Sequence, residues 1–138
     1  MTTSRATAVW EGGLKGGKGT FKAGSASFSG AYTFATRFES AKGTNPEELI
    51  AAAHAACLSM ALSADLEKAG TPATRIETSA ACTIDAGKIQ KMELSVRGAV
   101  KGIDQAAFKK AAEGAKENCP VSKALKGNVQ FVLEARLE

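Results

Sequence analysis

Aromatic side chains are scarce in this sequence, at 6% of 138 residues, with one tryptophan and one tyrosine. Its core must therefore be built from small aliphatics. Three cysteines, an odd number at wide spacing, do not make a secreted disulfide framework. In a reducing compartment such cysteines are catalytic, metal-bound or plain core. There is no run of like charge, and a net charge of +4 spread among mixed signs supports solubility and at most weak attraction to anions. No segment reads as membrane-spanning, and the start, MTTSRATAVWEGG, has no apolar run of the signal-peptide kind. The cytosol is the expected location, and 1–138 the expected extent of a single domain.

What is present is one well-specified helix. Over Thr44 to Gly70, Asn45 stands as N-cap, Pro46 takes the first helical position, and Glu48 completes an Asn-x-x-Glu pattern like a capping box. Gly70 supplies the stop. From Leu49 to Ala64 there is no formal charge, and the apolar positions form two adjoining stripes, Leu49/Ala53/Cys57/Met60/Ala64 and Ile50/His54/Leu58/Leu62/Leu66. A helix apolar over most of its circumference is buried. Those uncharged residues reach only about 24 Å, short of a membrane span, so a core helix is expected. Its alanines admit close approach by another backbone, a second copy of the chain included.

Around it, Ala6 to Trp10 and Gly19 to Ala23 read as short strands joined by a glycine-rich connection, and Ser25 to Arg37 as one or two more. Gly12-x-x-x-x-Gly17-Lys18 matches most of a phosphate loop, but Gly19 replaces the metal-binding hydroxyl and a strand follows where a helix belongs. Thr74 to Asp85 and Ile89 to Val100 alternate as a half-buried hairpin about Ala86-Gly87. Asp104 caps a helix from Gln105 to about Asn118 with Phe108, Ala111, Ala112 and Ala115 inward, Val121 to Lys126 fits a further helical turn, and Asn128 to Leu137 alternates as a closing strand. The expected fold is α+β, in the order β-β-β-α-β-β-α-β, with antiparallel sheet packed on the long central helix.

Cys57 and Cys119 are the chemical candidates. A cysteine inside a buried helix is by default an inert small hydrophobe, and Cys82, on the inward side of a strand, reads as core. Cys119, followed by proline at a helix end, sits where backbone geometry matters. A reactive cysteine needs a compensating cation. His54, three residues before Cys57, could approach it, though the helix supplies no third group to orient the imidazole. Arg37, between Phe34 and Phe38, should be partly buried and would then call for a carboxylate. With Glu48 engaged in capping, Glu47 is the spare acid; the plainer reading is that both glutamates favour the helix dipole and Arg37 reaches solvent.

These residues bring a resemblance with them. TRFESAKGTNPEELIAAAHAAC, from Thr36 to Cys57, together with Cys119-Pro-Val-Ser122, resembles the OsmC/Ohr family of organic hydroperoxide reductases, the OsmC branch in particular. The likeness runs from Val9-Trp10-Glu11-Gly12 through Gly17 to Thr20 to the final strand. It implies that Cys57 matches the peroxidatic cysteine and Cys119 the resolving one. Arg37 falls at the active-site arginine and Glu47 at the glutamate that holds it. It also implies an intertwined homodimer with sites at the subunit interface, and a role in oxidative or osmotic stress defence. Departures are small: Cys82 lies outside the motif, and the connection Asp85 to Lys88 is short.

The expected chemistry is thiol-based reduction of hydroperoxides without metal or organic cofactor, through a Cys57 sulfenic acid and a Cys57–Cys119 disulfide. Apolar surroundings favour organic hydroperoxides over hydrogen peroxide. An external dithiol must reopen the disulfide, and the resemblance implies a lipoyl-type one. Two rivals stand beside this reading. His54, Cys57, Cys82 and Cys119 could form a zinc site, though close cysteine pairs are lacking. Lys15, Lys18 and Lys22 suggest a nucleic-acid module, though no reader motif accompanies them.

Overall fold

The computed structural model describes all residues, Met1 to Glu138. Its elements are β1 (Ala6–Glu11), β2 (Lys18–Ala23), β3 (Ser29–Tyr32), α1 (Phe34–Phe38), α2 (Pro46–Lys68), β4 (Ala73–Asp85), β5 (Lys88–Val100), α3 (Gln105–Asn118), α4 (Pro120–Leu125) and β6 (Gln130–Leu137). They fall into two compact units, Met1–Leu49 and Ile50–Glu138.

The first unit is an antiparallel sheet in the order β1-β2-β3 followed by α1. Gly19 pairs with Trp10 on one side and Tyr32 on the other. A Cβ there would lie 2.6 Å from the Tyr32 ring and 2.7 Å from the Trp10 ring. Only glycine therefore lets these rings, with centroids 5.5 Å apart, close over the middle strand. The aromatic run after β3 is not a further strand, as its composition suggests. It is the short helix α1, because Thr33 and Thr36 close a reciprocal capping box that captures both orphan amides.

The second unit is a sheet in the order β4-β5-β6 with helices packed on it. β4 and β5 form the expected hairpin, and Ala86 and Gly87 both take positive φ, at 49° and 74°, as a tight two-residue turn demands. β5 and β6 are parallel, against the expectation of an antiparallel sheet. The connection through α3 and α4 carries the chain back to the starting end of β5, so β6 runs in the same direction. Alternation of apolar residues is the same for either orientation, which is why the pattern left the direction open. The face of β5 carrying Met92, Leu94, Val96 and Val100 is buried with Leu58, Leu62 and Leu66 of α2 and Phe108, Ala112 and Ala115 of α3. Burying each leucine fully contributes about 1.5–3 kcal/mol. Gln105, in the first turn of α3, donates to Ala135 O and accepts from Leu137 N, occupying the outer edge of β6.

Only one of the two apolar stripes of α2 is covered. Ala51, His54, Leu58, Leu62 and Leu66 are buried, while Ala53 and Ala64 are exposed and Met60 is 78% exposed. The expectation of a helix buried all round therefore fails within one chain. At 23 residues, α2 is also long and apolar enough by length and composition to cross a membrane, which the count of uncharged residues had excluded. Its covered stripe packs on protein, and its polar side chains are engaged there: Ser59 Oγ donates to Thr78 Oγ1 on β4 at 2.7 Å.

Candidate active site

In the first unit, α1 presents Arg37 to Glu47 in the opening turn of α2. Arg37 Nη2 donates to Glu47 Oε1 at 2.7 Å, and Nε reaches Oε1 and Oε2 at 3.1 and 3.2 Å. Glu47 is 5% exposed, so its charge is nearly desolvated and the guanidinium is what compensates it. The hydrogen bonds that Arg37 donates to Glu47 in turn push its pKa above its ordinary value, leaving it a permanent cation. The fork is seated by its neighbours. Asn45 caps α2 by accepting from Glu48 N at 2.8 Å while its amide donates to Thr36 O in α1 at 3.1 Å, so one side chain locks the two helix ends together. The guanidinium carbon lies 5.1 Å from the centre of the Phe38 ring. Trp10, Leu14, Tyr32, Phe34, Phe38 and Arg37 line an open cavity of about 250 Å³, apolar but for Thr33 and the arginine.

In the second unit, α2 carries Cys57 and the junction of α3 with α4 carries Cys119. Ala115 O takes the Cys119 amide, ending α3, and Cys119 then turns to extended backbone so that Pro120 can begin α4, where its missing N–H costs nothing. This break brings the buried Cys119 thiol beside Cys57. Both are reduced. Burial pushes the Cys57 thiol up, the neighbouring Cys119 adds to this, and the backbone amide of Val121 works in the opposite direction.

The four candidates of the sequence thus form two pairs, Arg37 with Glu47 and Cys57 with Cys119, one in each compact unit. His54 does not form a dyad with Cys57. It is fully buried, its Nε2 lies 2.7 Å from Ser122 Oγ, and its ring meets Phe131 edge-on with centroids 5.2 Å apart. Burial pushes its pKa below the ordinary 6.5, so the ring is neutral. Ser122 had no assigned role in the sequence reading, although its spacing from Cys119 mirrors that of His54 from Cys57. Cys82 is half-buried on β4 beside the core. No three or more His, Cys, Asp or Glu side chains gather where they could hold a metal ion, so the four residues of the zinc alternative do not converge.

The α+β scaffold carries a pair of neighbouring cysteines in one unit and a carboxylate-clamped arginine in the other, and comparison with known proteins gives the family. The family model described as OsmC-like protein matches residues 39–134, and the chain belongs to that family. It is 50% identical over 127 residues to Peroxiredoxin OsmC of Escherichia coli K12, covering 88% of this chain and 89% of the relative. It is 33% identical over 100 residues to the organic hydroperoxide resistance protein OhrA of Bacillus subtilis, covering 67% of each. Among solved structures, OhrB of B. subtilis superposes with a TM-score of 0.74 at 28% identity over 97% of this chain and 98% of that one. An organic hydroperoxide resistance protein from Elizabethkingia anophelis shares the fold with a TM-score of 0.78 at 24% identity, over 100% and 98% of the two chains.

Proposed function

We propose that this chain, a peroxidase by its kinship with peroxiredoxin OsmC, reduces organic hydroperoxides to alcohols through Cys57 and Cys119. The observation that carries this reading is the placement of Cys119, at the junction of α3 and α4, beside Cys57 in the middle of α2. In the first step the Cys57 thiolate attacks the outer peroxide oxygen. The S–O bond forms as O–O breaks, sulfur loses two electrons, and the alkoxide takes a proton to leave as alcohol. Cys119 sulfur then attacks the sulfenic sulfur. S–S forms, S–O breaks, and hydroxide leaves with the Cys119 proton as water. An external dithiol, of lipoyl type by the family resemblance, returns both thiols.

Burial alone opposes the thiolate, so a cation must supply what Val121 N–H does not. Arg37 is assigned that task, in the same subunit or across a dimer, and also polarises the O–O bond; Glu47 fixes its fork so that no reorganisation is needed during reaction. The aromatic cavity beside Arg37 supports a preference for organic hydroperoxides over hydrogen peroxide, because an apolar substituent gains about 25 cal/mol for each Å² it buries.

The same reading takes the working form to be a homodimer, with a second copy on the uncovered stripe of α2. It also takes the two compact units as parts of one OsmC-like domain, since the family match runs across Leu49. It places the protein in the cytosol, in defence against oxidative or osmotic stress. The decisive experiment is intact mass with peptide mapping after one equivalent of organic hydroperoxide is added to reduced protein. Loss of two hydrogens at a Cys57–Cys119 disulfide is expected; both thiols surviving excess peroxide would overturn the proposal.

A further inference from the structure

Two cross-links join α2 to the Cys119–Leu125 segment, and they are in step. Cys57 meets Cys119, and three residues away on each side His54 meets Ser122. One helical turn separates His54 from Cys57 along α2, and the same three-residue spacing recurs from Cys119 to Ser122 through the Pro120 turn. The second cross-link is built as a fixed strut. His54 is 0% and Ser122 2% exposed, their contact at 2.7 Å is short, and Phe131 backs the ring. His54 Nδ1 is buried without a hydrogen-bond partner. We assign the proton to Nε2, donated to Ser122 Oγ, because an orphaned acceptor is tolerated better than an orphaned N–H. Retaining a buried polar pair with one nitrogen unsatisfied is costly beside an apolar pair of similar size. Core filling therefore does not account for it.

We propose that His54 and Ser122 are positioning residues for the resolving step, holding Cys119 against α2 so that its sulfur meets the Cys57 sulfenic acid as soon as it forms. The inference rests on the two-cysteine reading of the site. Disulfide formation demands a Cβ–Cβ separation of about 3.5–4.5 Å and a narrow dihedral range, so a small drift of the α4 turn removes the geometry. Attack on peroxide needs only Cys57 and the incoming oxygen. The strut therefore acts on the second step more than on the first.

The test uses the full reduced chain and one equivalent of cumene hydroperoxide, with dimedone trapping of sulfenic acid and mass-resolved disulfide over time. In Ser122→Ala, which removes only a hydroxyl, and in His54→Leu, the ratio of disulfide-forming rate to oxidation rate should fall about tenfold or more, with a dimedone adduct accumulating on Cys57. His54→Gln, whose amide nitrogen can still donate to Ser122, should recover most of the parental ratio. The double variant His54→Leu/Ser122→Ala should be no slower than the worse single one, as expected for members of one interaction. A parental ratio in Ser122→Ala would overturn the inference even if the histidine variants fold poorly. Absence of a Cys57–Cys119 disulfide in the parent protein would instead overturn the two-cysteine reading, and this inference with it.

Discussion

Arg37 grips Glu47 through three hydrogen bonds, with the carboxylate buried and the guanidinium open on one side to an aromatic cavity. The fork is therefore fixed from behind and free in front, which is the arrangement a positioned cation needs. Replacing Glu47 by Gln removes the charge that holds the fork. Peroxidase kcat/KM should fall about 10–100-fold, since misplacement of this order is what loss of orientation costs. Steady-state assay with cumene hydroperoxide measures it, and parental kinetics would remove Glu47 from the mechanism.

Arg37→Lys should also impair activity, because a point charge cannot reproduce two parallel donors. Arg37→Gln should do more. With the cation gone, burial and Cys119 continue to push the Cys57 thiol up, so its thiolate forms only at higher pH. The pH profile of Cys57 alkylation in this variant should move to the alkaline side of the parent's, and an unmoved profile would show that Arg37 does not set the thiolate.

Cys57→Ser should abolish turnover. Cys119→Ser should permit one oxidation per site and then stall, with the sulfenic acid trapped by dimedone. Undiminished cycling in either variant contradicts the two-step scheme.

Neutral His54 makes folding depend on pH in a defined direction. Its folded pKa lies below the unfolded value of about 6.5, so below that pH the unfolded chain binds the extra proton first. The contribution is complete above pH 6.5 and is lost as pH falls toward the folded pKa. Urea midpoints should decline on acidification through this window, and His54→Gln should flatten the decline. Equal slopes in both proteins would show that other groups govern it.

Gly98 on β5 lies beneath the fully buried Phe108 ring, and a Cβ there would stand 2.5 Å from ring carbons. Gly98→Ala should therefore cost about 1–3 kcal/mol of stability, the usual penalty of overpacking. Denaturant unfolding gives the value directly.

Much of the second unit could be read from sequence because its signals are local. Asp104 caps α3 where its side chain reaches Ala107 N at 2.8 Å, the Ala86-Gly87 turn permits positive φ, and strict alternation marks β4 and β5. The pairing of Arg37 with Glu47 is legible because a half-buried charge needs a partner, and the family resemblance implies both that pair and Cys57 with Cys119. What the sequence could not determine depends on groups distant along the chain. Strand direction in the β5–β6 pair depends on where a crossover returns, and periodicity is blind to it. Which stripe of α2 is covered depends on what packs there, so two equally apolar stripes looked alike until Leu58, Leu62 and Leu66 met β5 and α3. His54 faced a choice between Cys57 on its own helix and a hydroxyl 68 residues away. Only tertiary packing, which buried both His54 and Ser122 and left each requiring a hydrogen bond, decided it.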